Sequence, residues 1–255
     1  MDLLHAVIFG IVEGITEFLP ISSTGHLILT ARLLQIAQTD FLKSFEIAIQ
    51  LGAILSVVAL YWRRLLVDFK VLKLVAAAFI PTAVIGLAFY KLAKKFLIGN
   101  SAVVLWALFL GGIFLIIFEL LHRGKEENPG GLSDISYKQA VIVGFFQSIA
   151  IIPGVSRSAA TICGGLALGL KRKTIVEFSF LLAVPTMLAA TVLDLFKSAG
   201  GFSCDQFIFL MAGFLVSFAV AILSIKFFLK FIQRHDFIVF GVYRIVLVLA
   251  FLFFK

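Results

Sequence analysis

Residues 13 to 26 read Glu13-Gly14-Ile15-Thr16-Glu17-Phe18-Leu19-Pro20-Ile21-Ser22-Ser23-Thr24-Gly25-His26, and the reading of this stretch decides the fold. Two carboxylates, a proline, three consecutive hydroxyls and a histidine interrupt sequence that is otherwise apolar from residue 3 to residue 35. Neither flank reaches the roughly 20 residues that a spanning helix needs. A helix, a tight turn and a second short helix fit the pattern, entering a bilayer and leaving on the same side. Such broken backbone is tolerated at membrane depth only where protein packs around it or where it lines a wet cavity. Ionisable groups are costly there, so the stretch is itself a candidate site.

Composition agrees with a membrane setting. Apolar residues form 62% of the chain and charged residues 14%, against about half and a quarter in a soluble domain. Phenylalanine, at 29 residues, suits a surface solvated by lipid tails. The net charge of +8 is assigned to cytoplasmic loops and anionic headgroups, and no nucleic-acid partner is expected. The opening Met1-Asp2-Leu3-Leu4-His5 has no basic n-region and no cleavage site, so no removable leader is expected. Cys163, in an apolar run, and Cys204, in a loop, form no metal-ligand pattern and are read as unpaired thiols.

Outward from the opening stretch, Phe45 to Trp62, Leu74 to Tyr90 (interrupted by Pro81) and Ala102 to Leu121 read as three full spans. A polar linker, residues 123–138 with Asn128-Pro129-Gly130-Gly131 as its turn, follows. Ile142 to Leu170 is again a broken apolar run, centred on Pro153. Glu177 to Phe196, Phe207 to Phe231 and Phe237 to Phe254 are three more spans. Residues 1–122 and 139–255 align: Gly10 with Gly144, Glu13 with Gln147, Pro20 with Pro153, Ser23-Thr24 with Ser156-Arg157. Because three spans per half is odd, the second half must insert upside down. The expected fold is therefore an all-α polytopic membrane protein in one domain, an inverted-topology repeat of six transmembrane helices and two re-entrant helical hairpins. The bias of Lys and Arg puts both termini on the outer face, with Arg63, Arg64, Lys70, Lys73, Arg123, Lys125, Lys138 and Lys171 to Lys173 among the inner residues and Lys197 and Lys255 among the outer ones.

Glu13 and Glu17 are four apart and share a helix face. In a low dielectric they repel, unless one stays protonated or a cation joins them. A hard divalent ion, Mg²⁺ or Ca²⁺, completed by phosphate oxygens and water, resolves the conflict. Ser22, Ser23 and Thr24 stand where they would cap the second short helix, and a helix N-terminus attracts anions. Ser156, Arg157 and Ser158 repeat the arrangement and add a guanidinium suited to bidentate phosphate contact. One turn of helix would bring His26 near Ser22 or Ser23, where an imidazole activates a serine or protonates a leaving group. Glu46, Glu177 and Arg244 are read as charge compensation, Arg244 pairing with one of the glutamates. His5, His122 and His235 are given no chemical role.

With these residues in view, the sequence resembles the undecaprenyl-diphosphate phosphatase family, the bacitracin-resistance proteins. The resemblance rests on Glu13-x-x-x-Glu17 running into Ser22-Ser23-Thr24-Gly25-His26, and on Pro153-Gly154-Val155-Ser156-Arg157-Ser158-Ala159-Ala160-Thr161. Phe45-Glu46, Ile49 to Gly52 and Glu177 to Pro185 also match, so it covers essentially the whole chain. It implies hydrolysis of undecaprenyl diphosphate to undecaprenyl phosphate for cell-wall synthesis, in a bacterial plasma membrane and with a divalent cation. Bacitracin would compete for the lipid diphosphate. Carried onto this chain, it implies Glu13 and Glu17 for the metal, and Arg157 with Ser156 for the diphosphate. Ser158, Thr161, Ser22 and Thr24 would support them, with Ser23 as nucleophile and His26 as acid/base. The site would open to the periplasmic face. The competing reading is a transporter or flippase for a lipid phosphate or other anion. A homodimer is left open.

Overall fold

The structure, a computed structural model, describes residues 1–96, 100–122, 130–195 and 204–253. Their regular structure is wholly helical. The first half holds α1 (Leu3–Thr16), α2 (Ser23–Leu33), α3 (Asp40–Leu66), α4 (Phe69–Phe96) and α5 (Ser101–His122). The second half holds α6 (Tyr137–Ser148), α7 (Arg157–Ala167), α8 (Arg172–Leu195), α9 (Cys204–Phe231) and α10 (Ile238–Phe253). Single 3₁₀ turns stand at Leu132–Asp134 and Ile149–Ile151.

Five helices, α3, α4, α5, α8 and α9, are long and apolar enough to cross a membrane. The chain is thus a polytopic membrane protein. The sixth expected span, α10, has 16 described helical residues. At 1.5 Å per residue that is about 24 Å, short of a ~30 Å hydrocarbon core. Pro81 does not interrupt its span: α4 runs continuously through it. Cys204 opens α9 rather than lying in a loop. Of the linker, residues 123–129 lie outside the described residues, with Arg123, Lys125, Asn128 and Pro129; so do Lys197 and Lys255. The rest of the linker carries the Leu132–Asp134 turn and the start of α6.

The two proline-centred stretches each form a pair of short helices broken by a turn, as their patterns require. Ser22 caps α2 by accepting from the Gly25 N–H, and Ser156 caps α7 by accepting from the Ala159 N–H. Both serines adopt the same backbone conformation, φ 70 at Ser22 and φ 75 at Ser156. That region is uncommon for a side chain with a Cβ, and it marks turns held by their surroundings.

Helix packing places these turns together. α1 lies on α9 and α6 lies on α4, in both cases through a glycine. A Cβ at Gly10 would stand 2.7 Å from the Gly213 carbonyl oxygen, and one at Gly144 would collide with the Ala78 carbonyl oxygen. Small residues of this kind let membrane helices approach backbone to backbone. α3 packs on α8 and α9, and α5 packs on α10. The core between them is aromatic: Phe18 meets Phe180 edge-on at 5.2 Å, and Phe228 meets Phe240 edge-on at 5.5 Å.

Candidate active site

The turn after α1 and the turn before α7 face one cavity of about 260 Å³. Glu17, Ser22, Ser23 and Thr24 line it from the first half, and Ser156 and Arg157 line it from the second. Residues 140 positions apart in the chain are thereby brought into contact. Arg157 Nη2 donates to Glu17 Oε1 at 3.2 Å, while Nη1 donates to the Ser179 carbonyl at 2.9 Å. On the other side of the same carboxylate, Ser23 Oγ donates to Glu17 Oε2 at 2.5 Å. Glu17, at 7% exposure, therefore stands between a hydroxyl and a guanidinium. Arg157 Nε has no partner and is buried. The guanidinium thus keeps one donor in hand.

Several sequence-predicted residues fall elsewhere. Ser158 Oγ donates to the Leu19 carbonyl at 2.8 Å, tying α7 to the first turn, and lies 3.0 Å from Ser156 Oγ. Thr161 Oγ1 is 2.6 Å from Ser179 Oγ and bonds the carbonyls of Arg157 and Ser158. Both are buried and neither lines the cavity. They shape the turn that carries Arg157. His26 reaches Ser22, as the spacing predicts, but through the backbone: Nδ1 donates to the Ser22 carbonyl at 2.8 Å. Its Nε2 lies 2.8 Å from the Tyr243 hydroxyl of α10. The proton acceptor beside Ser23 is Glu17.

Glu13 is fully buried one turn behind Glu17, and both its carboxylate oxygens lack a hydrogen-bond partner. Glu17 and Glu46 are near enough to repel its charge, and Arg157 is near enough to attract it. At the matching place Gln147 donates to the hydroxyls of Thr82 and Thr186, both at 3.0 Å. Two hard, orphaned oxygens beside a second carboxylate fit a divalent cation. Among the described residues no three His, Cys, Asp or Glu side chains gather. A cation here would therefore take its remaining ligands from substrate and water.

Arg244 corrects an expectation. Among the described residues it pairs with no glutamate: Nη2 donates to the carbonyls of Gly154 and Val155, the two residues before Ser156. Room for this buried guanidinium comes from α5, where a Cβ at Gly111 would stand 2.9 Å from Nη1 and Nη2. Glu119 instead pairs with Arg172, Nη2 to Oε1 at 2.6 Å and Nη1 to Oε2 at 3.1 Å. Gln50 also lines the cavity. It is a polar residue at membrane depth, which is the signal that could have singled it out.

A polytopic helical membrane protein with a hydroxyl, a carboxylate and a guanidinium around one cavity is a protein built to handle an oxyanion. The chain belongs to the bacitracin resistance protein BacA family, whose model matches residues 6–250. It is 54% identical to the undecaprenyl-diphosphatase of Aquifex aeolicus (strain VF5), over 97% of this chain and 96% of that one. It is 51% identical to the undecaprenyl-diphosphatase of Wolinella succinogenes, over 100% of this chain and 98% of the relative. Against the undecaprenyl-diphosphatase of Campylobacter jejuni (serotype O:6, strain 81116) the identity is 49%, over 100% and 94%.

Proposed function

We propose that this protein is an undecaprenyl-diphosphatase, an integral membrane hydrolase that converts undecaprenyl diphosphate to undecaprenyl phosphate and inorganic phosphate. Family membership and relatives of that name at about half identity over the full chain support the activity. The observation that carries the site is the bridge from Ser23 through Glu17 to Arg157 across one cavity.

Ser23 attacks the terminal phosphorus. Its proton passes to Glu17, the bond from phosphorus to the bridging oxygen breaks, and undecaprenyl phosphate leaves. Water then attacks the phosphoserine, the P–Oγ bond breaks, Glu17 returns its proton to the departing Ser23 Oγ, and dihydrogen phosphate, carrying both hydrogens of the water, departs. Arg157, free at Nε and anchored at Ser179, binds the diphosphate oxygens and stabilises the charge gathering on them. The N-termini of α2 and α7 add their partial positive charge, with Ser22, Thr24 and Ser156 at the rim. Glu13 and Glu17 would hold a divalent cation, which when bound would neutralise phosphate oxygens. Ala150, Ile152, Met187 and Ala190 form an apolar wall of the cavity. At about 260 Å³ the cavity suits a headgroup, and the isoprenyl tail lies along the lipid-facing bundle.

The two broken helix pairs are re-entrant hairpins of an inverted repeat, with α10 as a sixth span. The recurrent serine φ at Ser22 and Ser156 and the matched glycine contacts of α1 and α6 support this reading. In the same reading the membrane is the bacterial plasma membrane, the cavity opens outward, and bacitracin competes for the lipid diphosphate.

Purified protein given undecaprenyl diphosphate should release phosphate, and Ser23→Ala, Glu17→Ala and Arg157→Ala should each lose it. Full rates in all three variants would remove the site assignment. In vesicles, movement of lipid phosphate between leaflets without hydrolysis would favour the carrier reading instead.

A further inference from the structure

His26 lies 8% exposed between two partners, and their chemistry determines its tautomer. A backbone carbonyl can only accept, so the Nδ1 that meets the Ser22 carbonyl carries the hydrogen. Nε2 then presents a lone pair, and the Tyr243 hydroxyl donates to it at 2.8 Å from 217 positions along the chain. The two rings lie within 2° of parallel with centroids 5.6 Å apart. We propose that Tyr243 is a positioning residue of the hydrolytic site: its hydroxyl, donating to Nε2, holds the His26 ring in place, and His26 in turn holds the Ser22 backbone through Nδ1–H.

The consequence runs along three bonded steps. Ser22 sits at φ 70, a conformation its own side chain does not favour. Its carbonyl accepts both the His26 N–H, at 3.2 Å, and the imidazole Nδ1–H. That peptide leads directly into Ser23, whose hydroxyl is bonded to Glu17. Without the hydroxyl the imidazole is free to turn, and the Ser22 carbonyl loses its second donor. Ser23 is then less well aligned on Glu17. Tyr243 does not itself line the cavity; it acts through His26.

The inference rests on the phosphatase reading, and its test separates the two. Tyr243→Phe keeps the ring and removes one oxygen. In the full chain, phosphate release from undecaprenyl diphosphate should fall about tenfold in kcat, the effect of a buried partner left unpaired. KM should stay within about twofold, because the diphosphate contacts are untouched. In a His26→Gln background the same Tyr243→Phe change should have no further effect. Independently of turnover, nitrogen NMR of histidine-labelled protein should show the His26 resonances of the Nδ1–H tautomer, identified by their loss in His26→Gln, and a shifted Nε2 resonance in Tyr243→Phe, where the bond to that nitrogen is gone. A wild-type kcat in Tyr243→Phe overturns the proposal. So does an equal fall in the His26→Gln background, or a His26 spectrum unchanged by removing the hydroxyl. Absence of phosphate release from the unmutated protein would instead remove the phosphatase reading, while the spectrum would still test the bond.

Discussion

Glu17 accepts from Ser23 on one oxygen and from Arg157 on the other, so its charge serves two ends at once. In the proposed reaction it takes the proton of the Ser23 hydroxyl, and it holds the Arg157 guanidinium that would meet the phosphate. Glu17→Gln keeps the size and removes the charge. Its kcat should fall at least about a hundredfold, the scale of losing one charge-stabilising group, in a phosphate-release assay. Ser158 is the opposite case. It has a motif position, yet its hydroxyl bonds the Leu19 carbonyl outside the cavity. Ser158→Ala should therefore leave kcat within about threefold and cost about 1–3 kcal/mol of stability, read as a lower unfolding temperature in detergent. The two variants separate a residue of the proposed reaction from one that shapes a turn.

At the scale of elements, the short helices are held by close backbone approaches. Gly144 packs on the Ala78 carbonyl, and Thr82 Oγ1 of the same helix donates to the Gly144 carbonyl at 2.9 Å. A methyl at Gly144 meets backbone, which cannot turn aside. Gly144→Ala should cost about 1–3 kcal/mol or more by thermal unfolding, as overpacking does. The corner between α3 and α4 depends on charge. Asp68 accepts from the Val71 N–H at 3.2 Å and from Arg64 Nη1 at 3.2 Å, and these bonds, the backbone one first, hold its carboxyl below the ordinary aspartate value of 3.8. A carboxyl lowered on folding stabilises the folded state above its unfolded value and ceases to do so as the pH falls through its folded value. Unfolding temperature should thus fall as pH drops below 3.8, and Asp68→Asn should flatten that limb.

In the whole molecule, neither half holds a site. The first supplies Glu17, Ser23 and Thr24; the second supplies Arg157, its Ser179 anchor, and α10 with the carbonyl clamp of Arg244. Expressed apart, the two halves should release no phosphate even where each inserts. Expressed together they should recover activity measurable above either alone; turnover by the first half by itself would contradict a shared site. The sequence made much of this legible. Glu13 and Glu17 at helical spacing, and serines capping a second helix, are local relations that spacing reports directly. Lys173 and Glu177 also lie four apart, yet that pair is stretched to 4.0 Å and does not line the cavity that Glu17 lines, so spacing alone does not make this site.

What the sequence determined by itself is what depends on near neighbours and on solvent: apolar length sets the spans, and proline and hydroxyls set the breaks. The repeated pattern relates the two hydroxyl turns but pairs Ser23 with Ser156, whereas the matching backbone φ of 70 and 75 pairs Ser22 with Ser156. The tertiary structure decided the partners. Arg244 was expected to seek a carboxylate, and it found the Gly154 and Val155 carbonyls. His26 was expected near Ser22 or Ser23, and it reaches Ser22 through the backbone carbonyl, with Tyr243 on its other nitrogen. The reason is physical. A buried donor takes whichever acceptor packing delivers within hydrogen-bond reach, and helices packed 89 or 217 positions apart leave no trace of that choice in residue spacing.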